Sequence, residues 1–146
     1  SPCTSQHPLD PYSLGHVEHG IAFGLLPLLL GLGWEWSLAA VVVLECLWEG
    51  FENSAWTIGR YRSNTASLGY EGDSVANSLG DVASCVFGFA FLFFAGVVPS
   101  LVLAVNIELA MLLWVRDCNA IQLATLAWPI ESVKKWQLEQ AEKEKG

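Results

Sequence analysis

The residues of this chain best suited to chemistry are two histidines and several acids that recur at helical spacing. His16 and His19 lie one helical turn apart, and Glu45, Glu49 and Glu52 follow one another at intervals of four and three residues. Each set therefore shares one face of a helix. Imidazole and carboxylate groups together suit a divalent metal ion, and they also serve as general acids and bases.

A third polar stripe consists of Asp73, Asn77 and Asp81, which recur at intervals of four residues. An ionisable group at the middle of a membrane-spanning helix costs roughly 2.5–3.5 kcal/mol, so these stripes are expected to face inward and converge in one cavity. The predicted metal ligands are His16, His19, Glu49, Glu52, Asp73 and Asp81. The candidate catalytic groups are His16, His19, Glu49 and Asp73, although the sequence does not decide whether the protein is an enzyme.

The basic residues are few and suggest a second kind of ligand. The whole stock of Lys and Arg is Arg60, Arg62, Arg116, Lys134, Lys135, Lys143 and Lys145. Arg60, Arg62 and Arg116 are candidates for holding an anion or a lipid phosphate at the membrane surface. The implied cofactor is thus a divalent metal or a bound phospholipid.

Two other readings of the polar residues stay open. Buried carboxylates are also the usual material of a proton or ion path. Alternatively, acids and arginines pair at helix ends and only fix the bundle, for example Glu52 or Asp73 with Arg60 or Arg62.

The elements that must position these groups are four long apolar segments. The chain has 146 residues, 53% of them hydrophobic, and a mean hydropathy of +0.40. A spanning helix needs about 20 mostly apolar residues, and the segments are residues 14–33, 37–56, 73–94 and 98–115. They predict an all-α, polytopic membrane protein with four transmembrane helices. A net charge of −8 without a basic stripe excludes nucleic acid as a partner.

The same pattern predicts domains and topology. Residues 1–13 form an extended leader, 14–117 the transmembrane domain, and 118–146 an interfacial segment with a charged C-terminal helix, interfacial or soluble, after Pro129. A polar loop is expected over residues 59–72 and short turns around residues 34–36 and 96–100. If each segment crosses once, all seven basic residues share a face, so both termini lie on the cytoplasmic side or its matrix or stromal equivalent. Cys3 and Cys118 share that face and can pair only if it is oxidising.

Several short motifs carry a resemblance to a known family. They are Ser5-Gln6-His7, Asp10-Pro11-Tyr12, His16-x-x-His19-Gly20, Trp48-Glu49-x-x-Glu52-Asn53, Arg60-Tyr61-Arg62, Gly72-Asp73-Ser74-x-x-Asn77-Ser78-x-x-Asp81, Trp114-x-Arg116-Asp117 and Pro129-Ile130-Glu131. Together they resemble an uncharacterised bacterial integral-membrane family, a domain of unknown function, whose members usually have an extra apolar segment before this start. More distantly, the order of His, Glu, Arg, Asp and Asn is similar to VanZ-like membrane proteins, which implies by analogy a lipid-linked envelope role.

The sequence therefore predicts an integral membrane protein with a polar His/carboxylate/Arg cavity near its basic face. The cavity would bind or process a lipid headgroup or hold a metal. The alternative is an accessory subunit of a larger membrane complex, such as a respiratory, ATP synthase or photosynthetic assembly. Expected partners are membrane lipids and, in the alternative, other membrane subunits.

Overall fold

Helices make up nearly all of the regular structure. The computed structural model describes the backbone of residues 5–143 and the side chains of residues 5–139, and within that part it has seven helices and no strand. They are α1 (Ser13–Leu29), α2 (Trp34–Glu52), α3 (Ala55–Asn64), α4 (Val75–Ala95), α5 (Val97–Trp114), α6 (Asn119–Ala127) and α7 (Glu131–Lys143).

The helices α1 and α4 cross in very close contact. A Cβ atom added at Gly20 would lie 1.9 Å from the carbonyl oxygen of Cys85, and one added at Gly88 would lie 1.9 Å from that of Val17. The two backbones thus touch, which only glycine allows. Gly24, one turn after Gly20, also packs closely, since a Cβ there would meet the Phe89 ring at 2.7 Å.

Local signals explain where the helices begin. The Ser54 hydroxyl caps α3 by accepting a hydrogen bond from the Thr57 amide, and Ser74 caps α4 through the Asn77 amide. Gly96, with φ of 86°, makes the sharp turn between α4 and α5, a conformation that favours glycine.

Several boundaries differ from the sequence-based expectation. The segment predicted to be a polar loop over residues 59–72 begins as helix, because the Ser54 cap starts α3 and carries it to Asn64. The second long helix consequently ends at Glu52 rather than at Trp56. At its other end, the expected turn at Trp34 is the first residue of α2.

The three short helices form a layer at one end of the long ones. The Arg60 guanidinium on α3 donates to the carbonyls of Leu126 and Ala127 at the end of α6. On α7, the Lys134 ammonium donates to the Ser63 carbonyl at 2.5 Å. These contacts place five of the seven basic residues, those with described side chains, at or next to this layer.

Two helices, α4 and α5, are long and apolar enough to cross a membrane among the residues that the structure describes. Of the four membrane-spanning helices expected from the sequence, two therefore meet this description. α1 is shorter, at 17 residues, and α2 contains the acids Glu45, Glu49 and Glu52 as well as Glu35. The outer faces of the long helices are nevertheless apolar, with Leu29, Leu47, Phe94 and Leu113 among the exposed side chains.

Candidate metal site

His16 lies at the centre of the buried polar groups. Its Nδ1 is in close hydrogen-bonding contact with Oε1 of Glu45, while Oε2 of the same carboxylate lies 3.1 Å from Nδ1 of His19. Glu45 is fully buried, and one carboxylate therefore bridges both histidines. Because the carboxylate accepts, each histidine donates through Nδ1 and keeps Nε2 available.

Two further carboxylates approach His16. Asp81 Oδ2 lies 3.8 Å from Nε2 of His16, and Glu49 Oε1 lies 3.5 Å from Nδ1. Asp81 also accepts a 2.7 Å hydrogen bond from the Ser13 hydroxyl. We call His16, His19, Glu45, Glu49 and Asp81 the His16 cluster.

Glu49 is the unusual member of the His16 cluster. Its side chain is buried, yet neither of its two carboxylate oxygens has a hydrogen-bond partner among the described residues. Its charged neighbour among the described residues is the His16 ring, 3.5 Å from Oε1, and burying a carboxylate without a hydrogen bond is disfavoured. We therefore expect this carboxylate to carry a proton or to bind a cation.

Three helices position the His16 cluster. α1 supplies both histidines, α2 supplies Glu45 and Glu49 one turn apart, and α4 supplies Asp81. The glycine crossing of α1 and α4 brings His16 to Asp81. Two sets of atoms in the cluster lie within 4.8 Å of one another and could each hold one ion, namely His16, His19 and Glu45, or His16, Glu49 and Asp81.

An open groove of about 580 Å³ runs between α2 and the beginning of α4 and reaches Glu49. Its lining includes three acids, Glu49, Glu71 and Asp73. None of its twelve lining residues is basic. Glu49 therefore belongs both to this groove and to the His16 cluster.

The other predicted site residues lie apart from the His16 cluster. Glu52 accepts hydrogen bonds from the Trp48 indole at 2.9 Å and the Tyr61 hydroxyl at 3.3 Å. Asp73 accepts from the Tyr70 hydroxyl at 2.8 Å and the Asn53 amide at 3.2 Å. Burial raises the pKa of Tyr61 and Tyr70 above the usual range, so both phenols remain donors. Glu52 and Asp73 are thus already partnered within the fold.

Asn77 also has a structural partner, because its side-chain amide donates to the His7 carbonyl at 2.9 Å. This bond fixes the leader against the start of α4, where the Ser74 amide donates to the Ser5 carbonyl at 2.9 Å.

The three arginines bind backbone rather than acids. Arg60 contacts the end of α6, as described above, Arg62 donates to the Tyr70 carbonyl, and Arg116 donates to the Trp136 carbonyl. The suggested pairs of Glu52 or Asp73 with arginine are wrong for the described side chains, where every ion pair is between histidine and acid. Each arginine has a different partner, and the anion site predicted from them stays a prediction.

A second polar contact joins α1, α5 and α6. The Asn119 amide donates to Glu18 at 2.7 Å and to the Gly15 carbonyl at 2.9 Å, while Glu108 accepts from the amide of Ala120. Nearby, burial raises the pKa of Asp117 to about 6. This contact holds α6 against the end of the bundle.

Cys118 is a free, buried thiol, and burial raises its pKa to about 11. The proposed pairing with Cys3 lies outside the described residues.

Glu45 is the residue that the predicted ligand set omits. Its signal was present in the sequence, since it shares the face of Glu49 on α2. The spacing alone could not show which of the three glutamates on this face contacts the histidines. Their level along α2 determines it, because Glu45 lies level with both histidines and Glu52 lies at the end of the helix.

Comparison with known proteins finds a family and several relatives that match most of this chain. Residues 1–139 match the family described as "Protein of unknown function (DUF2585)". The chain is 41% identical over 140 residues to the UPF0314 protein of Novosphingobium aromaticivorans, which covers 91% of this chain and 71% of that protein. It is 39% identical over 137 residues to the UPF0314 protein of Paracoccus denitrificans, covering 92% and 70%. No solved structure matches the chain. The resemblance to an uncharacterised bacterial family is confirmed.

Proposed function

Because the chain belongs to this DUF2585 family of unknown function, its role has to be inferred from its own residues, and we propose that it is an integral membrane protein that binds a divalent metal ion. The ion is held by His16, Glu49 and Asp81 between α1, α2 and α4. Mixed imidazole and carboxylate ligands suit zinc, iron(II) or manganese.

The observation that carries the proposal is the buried carboxylate of Glu49, which has no hydrogen-bond partner. Ligand atoms about 2.1 Å from one tetrahedral ion lie about 3.4 Å apart. Glu49 Oε1 lies 3.5 Å from Nδ1 of His16, the nitrogen that already contacts Glu45, so this carboxylate has to turn to share an ion with Nε2. The distance of 3.8 Å between Asp81 and His16 needs a small contraction.

Glu45 acts as the positioning residue in this arrangement. By accepting from Nδ1 of His16 it fixes the ring and leaves Nε2 for the ion. A carboxylate behind a metal-binding histidine is a common second partner whose loss weakens metal binding about 10–100-fold.

Four membrane crossings are part of the proposal. α4 and α5 meet the length and hydropathy expected of a spanning helix. For α1 and α2 the support is the direction of their polar groups, since the buried side chains include His16, Glu45 and Glu49 while Leu29 and Leu47 are exposed. Polar groups inside and apolar groups outside suit a lipid environment.

The two alternative functions have weaker support. Binding of a lipid phosphate by Arg60, Arg62 and Arg116 would have to use the N–H groups that do not already bind carbonyls, and the three side chains bind three different parts of the chain. A role as a subunit of a larger complex is distinguished by purification in mild detergent, where it predicts stable copurifying proteins.

Metal analysis of the purified protein tests the function. We expect about one zinc, iron, manganese or cobalt ion per chain, and cobalt bound at this site should show visible absorption typical of a low-symmetry ligand set. His16→Ala should abolish the binding, whereas His7→Ala, at an exposed position, should retain it. A wild-type protein that binds none of these metals, or a His16→Ala protein that binds as well as wild type, would contradict the proposal.

A further inference from the structure

The groove beside the His16 cluster has a charge pattern that selects its occupant. Glu71 and Asp73 lie in the segment before α4, and Glu49 lies at the inner side on α2. The polar side chains of Asn53 and Ser78 lie between them, and no basic residue lines the groove. A negative cleft attracts cations and repels a phosphate-bearing ligand.

The size of the groove also fits a hydrated ion. A water molecule needs about 10–15 Å³ of cavity space, so the open groove of about 580 Å³ admits the water shell of a hydrated ion. The Ser78 hydroxyl and the acids on the wall can replace part of that water, although the wall also includes the apolar residues Ile58, Val75 and Leu79. The side chain of Glu49 closes the inner end of the groove, and its buried carboxylate has to turn outward to receive an ion before it returns to His16, 3.5 Å away.

We propose that this groove is the access path by which a hydrated divalent cation reaches the His16 cluster, with Glu71 and Asp73 at its mouth and Glu49 as the residue that receives the ion. This inference rests on the metal-binding function proposed above. It adds a route and a direction, from the loop before α4 inward along α2.

A plug in the groove tests the route. A Cβ atom added at Gly50, which lines the groove, meets no other atom within 4 Å, and the same is true of Gly59, which does not line it. Gly50→Phe should slow association of Mn²⁺ or Co²⁺ by about tenfold or more, because the ring has to move for each ion to pass. The equilibrium Kd should stay within about twofold, since entry and exit slow together. Gly59→Phe is the matched control and should associate at the wild-type rate.

Cys46 gives a second test on the folded wild-type protein. It is an exposed thiol on the groove wall, whereas Cys85 and Cys118 are buried. Alkylation of Cys46 by a bulky maleimide, located by peptide mapping, should slow Mn²⁺ association as Gly50→Phe does. This measurement does not depend on whether a variant folds.

Removing the charge of an acid at the mouth of the groove tests whether these acids attract the ion. Glu71 is exposed and forms no hydrogen bond through its described side chain, so Glu71→Gln should leave the fold intact. It should slow Mn²⁺ association several-fold at low salt and much less at high salt, as electrostatic steering requires.

The outcomes separate the two proposals. Metal binding that requires His16 but has unchanged association rates in Gly50→Phe and after Cys46 alkylation would overturn the access path and leave the function intact. Absence of any metal binding by the wild type would overturn both. Slowed association in the plugged proteins and a normal rate in Gly59→Phe would establish the route.

Discussion

Glu49 combines two properties that rarely occur together in one side chain. It is 7% exposed, and both of its carboxylate oxygens are without a hydrogen bond. Such a group lowers the stability of the fold unless a ligand compensates for it. A proton or a bound cation would supply that compensation, and a cation is the one that we propose.

Replacing Glu49 should separate stability from function. In the metal-free protein, Glu49→Met should raise the free energy of unfolding by about 1–3 kcal/mol, since a side chain of similar length replaces an unpartnered polar group. The same change should remove the increase in Tm that metal gives to the wild type. Thermal unfolding with and without Mn²⁺ measures both effects.

Glu35→Gln is the control, at an exposed acid on the same helix, and should alter neither quantity. A Glu49→Met protein that is less stable than wild type without metal would show that its carboxylate is satisfied in some other way.

Helical spacing was enough to predict that His16, Glu49 and Asp81 share inward faces. It could not reveal that Asp73 and Glu52 are already bound, because their partners come from Tyr70 and Tyr61 in a segment expected to be a loop. The sequence predicted the helix face on which these side chains lie but not their level along the helix axis. Periodicity fixes the face of a helix but not the level at which two helices meet.

At the level of elements, the crossing of α1 and α4 determines the geometry of the His16 cluster. His16 lies one turn before Gly20, and Asp81 lies one turn before Cys85, whose carbonyl lies against Gly20. Any increase in the distance between these helices would separate the histidine from the aspartate.

A side chain at Gly88 should therefore affect a site that it does not touch. Gly88→Val puts a Cβ atom 1.9 Å from the Val17 carbonyl, which forces the helices apart. We expect a loss of about 1–3 kcal/mol of stability from overpacking and a clear fall in metal affinity. Thermal unfolding and metal titration test this expectation.

Gly50→Ala, where nothing lies within 4 Å of the new Cβ atom, is the matched control and should preserve stability. Normal metal affinity in a folded Gly88→Val protein would show that the crossing does not set the geometry of the His16 cluster.

The long helices were predictable because apolar length is a strong signal, whereas α3 was not. Its sequence is polar, and it is ordered by the Ser54 cap and by contacts such as the bond from Asn64 to the Thr125 carbonyl at 2.7 Å. That second contact joins residues 61 positions apart, which no local pattern contains.

For the whole molecule, the grouping of basic residues at the layer of short helices agrees with the one-sided charge of the sequence. Arg60, Arg116 and Lys134 bind carbonyl groups in and around that layer. The positive-inside rule applied to this end gives the cytoplasmic location proposed for both termini.

Labelling of single cysteines in intact cells tests four crossings. In a protein with Cys3→Ser, Cys46→Ser, Cys85→Ala and Cys118→Ser, a membrane-impermeant maleimide should label Gly33→Cys from outside. It should label Ser132→Cys only after the membrane is permeabilised, because positions 33 and 132 are expected on opposite faces. Both positions are exposed, so access depends on the side of the membrane alone.

Equal labelling of the two positions without permeabilisation would contradict the proposed topology. Labelling of position 132 alone would invert it.

The contact between His16 and Glu45 has a consequence for biosynthesis. It joins α1 and α2, which leave the ribosome before Asp81 on α4 does. In a chain inserted in order, α1 and α2 can enter the lipid as a hairpin whose polar groups already satisfy each other. Glu49 would then have no Asp81 beside it until α4 is inserted. The set of three ligands would therefore be complete only after α4 has entered the membrane.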